Sequence, residues 1–249
     1  MSELRHEPKG HLARYSVWQF RDYLMDKGIG TLIVMILAGY LSYQVTRMVP
    51  TNARGADEAY AVVVQQLLGN LVFVGALFAT NGIVSDDRKL GYFRFLFAKP
   101  VRAWAFYAQK ALVALVGYLV VTLLLIGLWR WFFHYPLSPS VFAVAALGFV
   151  LYAGLGFLLS TVVRTEWLSL IAVYVASMVA WMKWEHAPGV LGTLVKVLPP
   201  VHGNGVGALE RLAATGAPLD MTLVLWVGGY GLGAFLLGIL ALNRRPLAT

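Results

Sequence analysis

The chain consists of six long apolar stretches that alternate with polar segments. A helix needs roughly 20 mostly apolar residues to cross about 30 Å of hydrocarbon, and each stretch approaches that length. The pattern therefore predicts an all-α integral membrane protein with six transmembrane helices in a single domain over residues 1–249. The predicted spans are 29–46, 59–84, 111–133, 141–163, 167–182 and 221–242.

The composition excludes a soluble enzyme. Hydrophobic residues make up 59% of the chain and charged residues only 13%, whereas a soluble domain carries about 25% charged residues. The chain also has no cysteine, which excludes disulfides and thiolate metal sites.

Lysine and arginine residues indicate the orientation of the chain. With the N-terminus in the cytoplasm, 14 of the 20 Lys and Arg residues lie inside, mainly in the N-terminal segment, the loop 85–110 and the C-terminal end. Cytoplasmic loops carry an excess of these residues, so both ends are predicted to be cytoplasmic. The net charge of +8 follows from this topology, and we expect no nucleic-acid partner.

Residues 10–27 precede the first predicted span and form an amphipathic pattern bounded by Gly28. Apolar positions recur every three or four residues, with arginines to the side of that stripe. We predict an interfacial helix on the cytoplasmic face of the membrane, and an ordinary juxtamembrane anchor is an alternative at the same location. The residues assigned to the membrane surface are Arg14, Trp18, Phe20 and Arg21.

The segment 183–220, between the fifth and sixth spans, contains two short apolar pieces, 190–198 and 206–212. A Pro- and Gly-rich break at 199–205 separates them, and each piece is too short to cross a bilayer. This arrangement predicts a re-entrant hairpin in the outer leaflet, where protein or water must cover the irregular backbone. An outer loop packed on the bundle is the alternative.

The loop after the second span carries the most specific motif, Ser-Asp-Asp-Arg-Lys-Leu-Gly-Tyr-Phe-Arg-Phe-Leu-Phe-Ala-Lys-Pro-Val-Arg at 85–102. It resembles the permease subunits of type-2 ABC exporters, whose signature is an acidic pair, a glycine, an apolar run, a Pro-Val motif and a lysine at the next span. Asp86 and Asp87, Gly91, Pro100 and Lys110 match these positions. Aspartate replaces the more usual glutamate, and Tyr92 stands where a small hydroxyl residue is common.

The physical chemistry of this loop independently predicts a docking segment. Two carboxylates would stabilise the N-terminus of a helix over 86–98, and Pro100 would end it near Lys99. The aromatic residues and arginines are typical interface anchors, although isolated aromatics also occupy the lipid headgroup region. The residues assigned to ATPase coupling are Asp86, Asp87, Arg88, Gly91, Tyr92, Phe93, Phe97, Pro100 and Arg102.

The resemblance implies a permease of the cytoplasmic (inner) membrane that works with two copies of an ABC ATP-binding subunit and a second permease chain. ATP and Mg would bind the partner, because no lysine here is followed by Ser or Thr as a Walker A motif requires. We therefore expect no cofactor on this chain. Expected substrates are amphipathic or lipid-like, namely drugs, peptide antibiotics, lipids or lipid-linked glycans.

Two functional classes remain as alternatives. One is a membrane scaffold or assembly factor without transport. The other is an intramembrane enzyme, which no catalytic motif supports.

Small residues mark candidate packing faces. Gly229 and Gly233 form a G-x-x-x-G pattern in the last span. In the family, the first and fifth spans carry most of the dimer contact, so a small-residue face in the fifth span is a candidate for it. The residues of that face are Ala172, Ala176 and Ala180.

Polar residues within spans are costly to bury and need an explanation. Those in the first and second spans would line a substrate path or form hydrogen bonds between helices, and they are Tyr40, Tyr43, Gln44, Gln65, Gln66 and Asn70. No Asp, Glu or Lys lies near the centre of a predicted span, which argues against a proton- or sodium-coupled carrier. The outer histidines are too scattered to predict a metal site, and they are His134, His186 and His202.

Overall fold

The computed structural model describes residues 11–48, 56–83, 87, 103–133, 137–163, 166–201 and 203–244, and within these ranges the chain forms no strand. The helices are α1 (His11–Tyr23), α2 (Ile29–Met48), α3 (Ala56–Asn70), α4 (Ala76–Thr80), α5 (Ala103–Phe133), α6 (Pro139–Val162), α7 (Glu166–Trp184), α8 (Val190–Val197), α9 (Val206–Ala214) and α10 (Met221–Arg244).

Six helical segments in these ranges are long and apolar enough to cross a membrane, which confirms the predicted number. They are Ser16–Leu41, Tyr60–Thr80, Trp104–Trp131, Pro139–Val162, Trp167–Trp184 and Met221–Leu242. The third begins seven residues earlier than predicted, because the polar residues before Ala111 continue the same helix.

The helix predicted over 10–27 is present as α1, but the expected break at Gly28 is wrong. A π turn over Leu24–Gly28 carries the helix directly into α2. The Tyr23 ring is buried against α5 at Gly117, where an added Cβ would lie 2.2 Å from Tyr23 Cε1. The glycine therefore lets α1 approach α5 closely.

The helix α6 is the centre of the bundle, and it packs against α5, α7, α9 and α10. It begins with Ser138 as N-cap and Pro139 in its first turn, both favoured there. Its closest neighbour is α10: a Cβ on Gly154 would lie 2.0 Å from the Gly231 carbonyl oxygen. The two backbones are in contact, as small residues allow in a membrane.

The G-x-x-x-G pattern does not mark this contact. A Cβ at Gly229 or Gly233 would meet nothing within 4 Å, whereas one at Gly231 would lie 2.6 Å from the Val150 carbonyl oxygen. Residues two positions apart lie on roughly opposite sides of a helix. The contact therefore uses Gly231, which the spacing pattern does not single out.

The helical hairpin α8–α9 (residues 190–214) packs into the bundle rather than only covering its end. The helix α8 contacts α7, and α9 contacts α3 and α6. Leu209 is fully buried, and Val206 and Ala213 are almost so. The depth of this hairpin in a bilayer stays a prediction.

The contact between α6 and α10 gives a direct prediction. Gly231→Ala should destabilise the protein by about 1–3 kcal/mol, because the added methyl group overlaps the backbone of α6. Gly233→Ala is the matched control and should be neutral or slightly stabilising, since alanine favours a helix more than glycine does. Thermal unfolding in detergent measures both, and a Gly231→Ala protein that melts no lower than the parent would contradict the contact.

Candidate functional site

The second span ends in a turn whose carbonyl groups bind two lysines. The helix α4 stops at Thr80, and Gly82 then adopts a left-handed conformation with φ +81°, which glycine accepts without strain. The side chain of Lys27 donates to the Asn81 carbonyl, and that of Lys110 lies 3.5 Å from the Gly82 carbonyl. Cations are favoured at a helix C-terminus, so both lysines stabilise this turn.

Asp87 of the predicted coupling loop is fixed at the same place. Its carboxylate forms an ion pair with Lys110 at 3.1 Å, and the two side chains are 10% and 26% exposed. At that burial, removing one partner would leave the other charge poorly solvated, which costs more than breaking a surface pair. Asp87, one of the two acids of the motif, therefore meets the lysine of the motif in space, 23 residues apart in sequence.

The residue beside Lys110 connects the same helix to α1. The Gln109 amide donates to Ser16 Oγ at 2.8 Å and lies 3.4 Å from Gln19 Oε1. The start of α5 thus contacts the coupling loop through one side chain and α1 through the next. We call this arrangement of Asp87, Lys110 and Gln109 the Asp87 junction.

The other residues predicted to couple to an ATPase lie outside the described residues, namely Asp86, Arg88, Gly91, Tyr92, Phe93, Phe97, Pro100 and Arg102. On α1, Trp18 and Arg21 are exposed and Phe20 is half-buried, while the side chain of Arg14 is outside the described part. The role of these residues at the lipid surface stays a prediction.

The polar residues of the first two spans differ in their exposure. Tyr40 and Gln66 are exposed, and the half-buried ones are Tyr43, Gln44, Gln65 and Asn70. On α7, Ala172 and Ala176 are exposed and Ala180 is buried.

The structure describes one of the three outer histidines. His186 is exposed, and His134 and His202 lie outside the described residues. Among the residues that are described, no three His, Asp or Glu side chains group as a metal site.

Sequence reasoning missed one residue, Glu210 on α9. Its carboxyl faces Gly69 of α3, where a Cβ would lie 3.6 Å from Glu210 Oε2. Inspection of the spans cannot find it, because α9 is not a span. Helical spacing offers a signal: Val206, Leu209 and Ala213 form the buried face of α9, and Glu210 lies beside them.

Burial raises the pKa of the Glu210 carboxyl to about 7, and the neighbouring Arg211 opposes this shift. Arg211 is exposed, and its guanidinium donates to the Gly203 carbonyl at 2.8 Å. The pKa of this carboxyl therefore lies near neutral pH instead of near the ordinary value of 4.5 for a glutamate.

A raised carboxyl pKa makes stability depend on pH in a defined direction. The stability contributed by neutral Glu210 is fully present below about pH 4.5 and is lost as the pH rises through about 7. Glu210→Gln, which resembles the neutral acid, should unfold like the parent near the lower limit and at a higher temperature near about pH 8. Melting curves of both proteins across this range test it. A difference that does not change with pH would contradict the buried position of the carboxyl.

The Asp87 junction gives a second prediction for this region. Asp87→Asn and Lys110→Met should each destabilise the protein, and the double variant should lose about 1–3 kcal/mol less than the sum of the two. Lys196→Met, at an exposed position of α8, is the control and should change stability little. Unfolding of the four proteins in detergent measures the coupling, and strictly additive losses would rule out the ion pair.

The comparison with protein families identifies the chain. Residues 13–183 match the model described as "ABC-2 type transporter". This range covers α1 from its third residue, the Asp87 junction, the first four spans and all but the last residue of the fifth, and it ends before the hairpin α8–α9. No curated protein and no solved structure matches the chain. The chain is a multi-pass membrane protein that belongs to the ABC-2 type transporter family.

Proposed function

We propose that this chain is the permease subunit of an ATP-driven exporter in the cytoplasmic membrane. The observation that carries the proposal is the Asp87 junction. In it, an acid of the predicted docking segment is held by the next membrane-spanning helix, α5. A scaffold without transport has no need for this connection between a cytoplasmic loop and the membrane spans.

The proposed mechanism transmits motion through α5. ATP-binding subunits would bind the segment 86–102 on the cytoplasmic side and move it as they close around ATP. The ion pair would carry that motion from Asp87 to Lys110, and the hydrogen bonds of Gln109 would carry it to α1. Lys110 also contacts the end of the second span at Gly82, so three elements would move together.

The proposed assembly contains two ATP-binding subunits, with ATP and Mg bound there, and a second permease chain. The span on α7 is the least buried of the six, at 11%. Ala172 and Ala176 lie on its exposed surface. This face supports a contact with a second copy, because small residues allow helices to approach closely in lipid.

The proposed cargo is amphipathic or lipid-like, such as a drug, a peptide antibiotic, a lipid or a lipid-linked glycan. Half-buried amides at Gln65 and Asn70 lie among apolar side chains of the second span. Such a mixture suits a molecule with one polar and one apolar part.

Copurification from the native membrane tests the proposal. The chain should bring down an ATP-binding subunit whose hydrolysis depends on it. Phe93→Asp with Phe97→Asp should reduce the recovered ATPase by about tenfold or more, because the aromatic anchors of the interface are lost. Phe93→Tyr with Phe97→Tyr keeps the rings and should retain the partner.

Two results would contradict this function. Recovery of a fully active ATPase with the aspartate variant would show that the segment 86–102 does not bind the ATPase through these aromatic residues. An ATPase that binds while reconstituted vesicles fail to move any amphipathic cargo would favour a scaffold.

A further inference from the structure

Glu210 is a carboxyl that pairs with no cation among the residues that the structure describes. Within the described ranges its oxygens form no hydrogen bond and no ion pair, and the adjacent Arg211 is exposed and bonded to the Gly203 carbonyl. Other buried polar groups bond locally, as Thr80 does to the Ala76 carbonyl at 2.8 Å. Burying an acid without such a partner costs free energy, and residues of this kind usually mark functional sites.

The carboxyl lies at mid-depth in the bundle. Gly69, which it faces, is near the midpoint of the helical run from Ala56 to Thr80. Tyr118, Tyr152 and Tyr174 surround the second span at the same level, where Tyr118 bonds to the Leu71 carbonyl and the other two rings contact Phe73. Each of these tyrosines is near the midpoint of its own helix, α5, α6 or α7. The hairpin thus places Glu210 near the midpoints of four spans, namely the second span and those on α5, α6 and α7.

The second span is irregular at this level. A π turn over Leu71–Gly75 begins two residues after Gly69, and its Leu71 carbonyl accepts a hydrogen bond from the Tyr118 hydroxyl at 3.0 Å. π turns within helices are frequent at functional sites. Here a side chain of α5 donates a hydrogen bond to one carbonyl of the π turn, and this bond stabilises the irregular backbone.

Aromatic rings surround the same turn. Phe73 stacks on Tyr174 with ring centroids 4.0 Å apart and an angle of 22°. It also meets Tyr152 edge-on, with centroids 5.3 Å apart. Aromatic faces attract cations, most strongly where water is excluded. An acid and a group of aromatic rings at one depth are the chemistry that recognises an organic cation.

We propose that Glu210, with the neighbouring rings of Phe73, Tyr152 and Tyr174, binds the cationic group of an amphipathic substrate. The inference rests on the proposed export function and narrows its substrate class to molecules with an amine or another positive group on an apolar body. The substrate supplies the positive charge that the site lacks. In its absence, a proton neutralises the carboxyl.

Binding to the intact permease in nanodiscs tests the site with two probes of the same shape and opposite charge. Tetraphenylphosphonium is a permanent cation, and tetraphenylborate is its anionic counterpart. Glu210→Gln should weaken tetraphenylphosphonium binding by about tenfold or more without weakening tetraphenylborate binding. Glu210→Asp should restore part of the affinity. Glu185→Gln, a carboxyl of the same segment that accepts from Asn204, should bind within about twofold of the parent.

Proton competition provides a second measurement on the unaltered protein. Lowering the pH from about 8 to about 6 should weaken tetraphenylphosphonium binding, because the protonated carboxyl loses its charge. The other described ionisable side chains on α9 and on α3, α6 and α10, the helices packed against it, are Arg211, Tyr60, Tyr152 and Tyr230, and Tyr118 and Tyr174 lie at the same level of the bundle. Phenols and guanidinium groups ordinarily titrate well above this range, so the variant Glu210→Gln should show a flat profile.

Three results would overturn the site. The first is that Glu210→Gln binds tetraphenylphosphonium as tightly as the parent does. The second is that this variant loses affinity for both probes equally. If the variant fails to insert, the third is a parent protein that binds both probes alike and shows no pH dependence. Binding to protein-free nanodiscs is subtracted throughout. The binding assay needs no ATPase. A negative binding result therefore contradicts the substrate site without contradicting the permease function, and a negative copurification contradicts the permease function without altering the binding result.

Discussion

The backbone contact between α6 and α10 positions the rest of the bundle. In hydrocarbon the hydrophobic effect does not drive helices together, so close packing must do so. Gly154 and Gly231 provide it by bringing the two backbones into contact. Because α6 also packs against α5, α7 and α9, its position determines where the elements with polar side chains meet.

Most buried polar side chains in the described part of the chain stabilise their own helix. Thr122 bonds to the Tyr118 carbonyl at 2.9 Å, and Ser160 bonds to the Phe157 carbonyl at 2.6 Å. Hydroxyl groups can do this because the carbonyl three or four residues earlier is within reach. A glutamate on the short helix α9 has no such local partner, and this difference separates Glu210 from the structural polar residues.

The Asp87 junction and the region around Glu210 are both contacted by one helix, α5. Lys110, near the start of α5, holds Asp87, and Tyr118, at its midpoint, holds the π turn of the second span beside the Glu210 level. The same rigid element therefore contacts the proposed motor-docking segment and the proposed substrate site. A displacement of α5 along or about its axis would reach both without a further intermediate.

The sequence by itself determined the class of protein and the number of spans, because the thickness of the hydrocarbon sets the length of each apolar stretch. It matched Asp87 and Lys110 to positions of one motif, and the structure showed that the two side chains form an ion pair. Residues 86 and 88–102 lie outside the described residues, so their docking role stays a prediction. Only the tertiary structure decided that Gly28 continues a helix, that Gly231 rather than Gly229 or Gly233 forms the close contact, and that Glu210 faces Gly69 of α3. Each of these depends on which face of one helix meets another element. Spacing along a single helix does not contain that information.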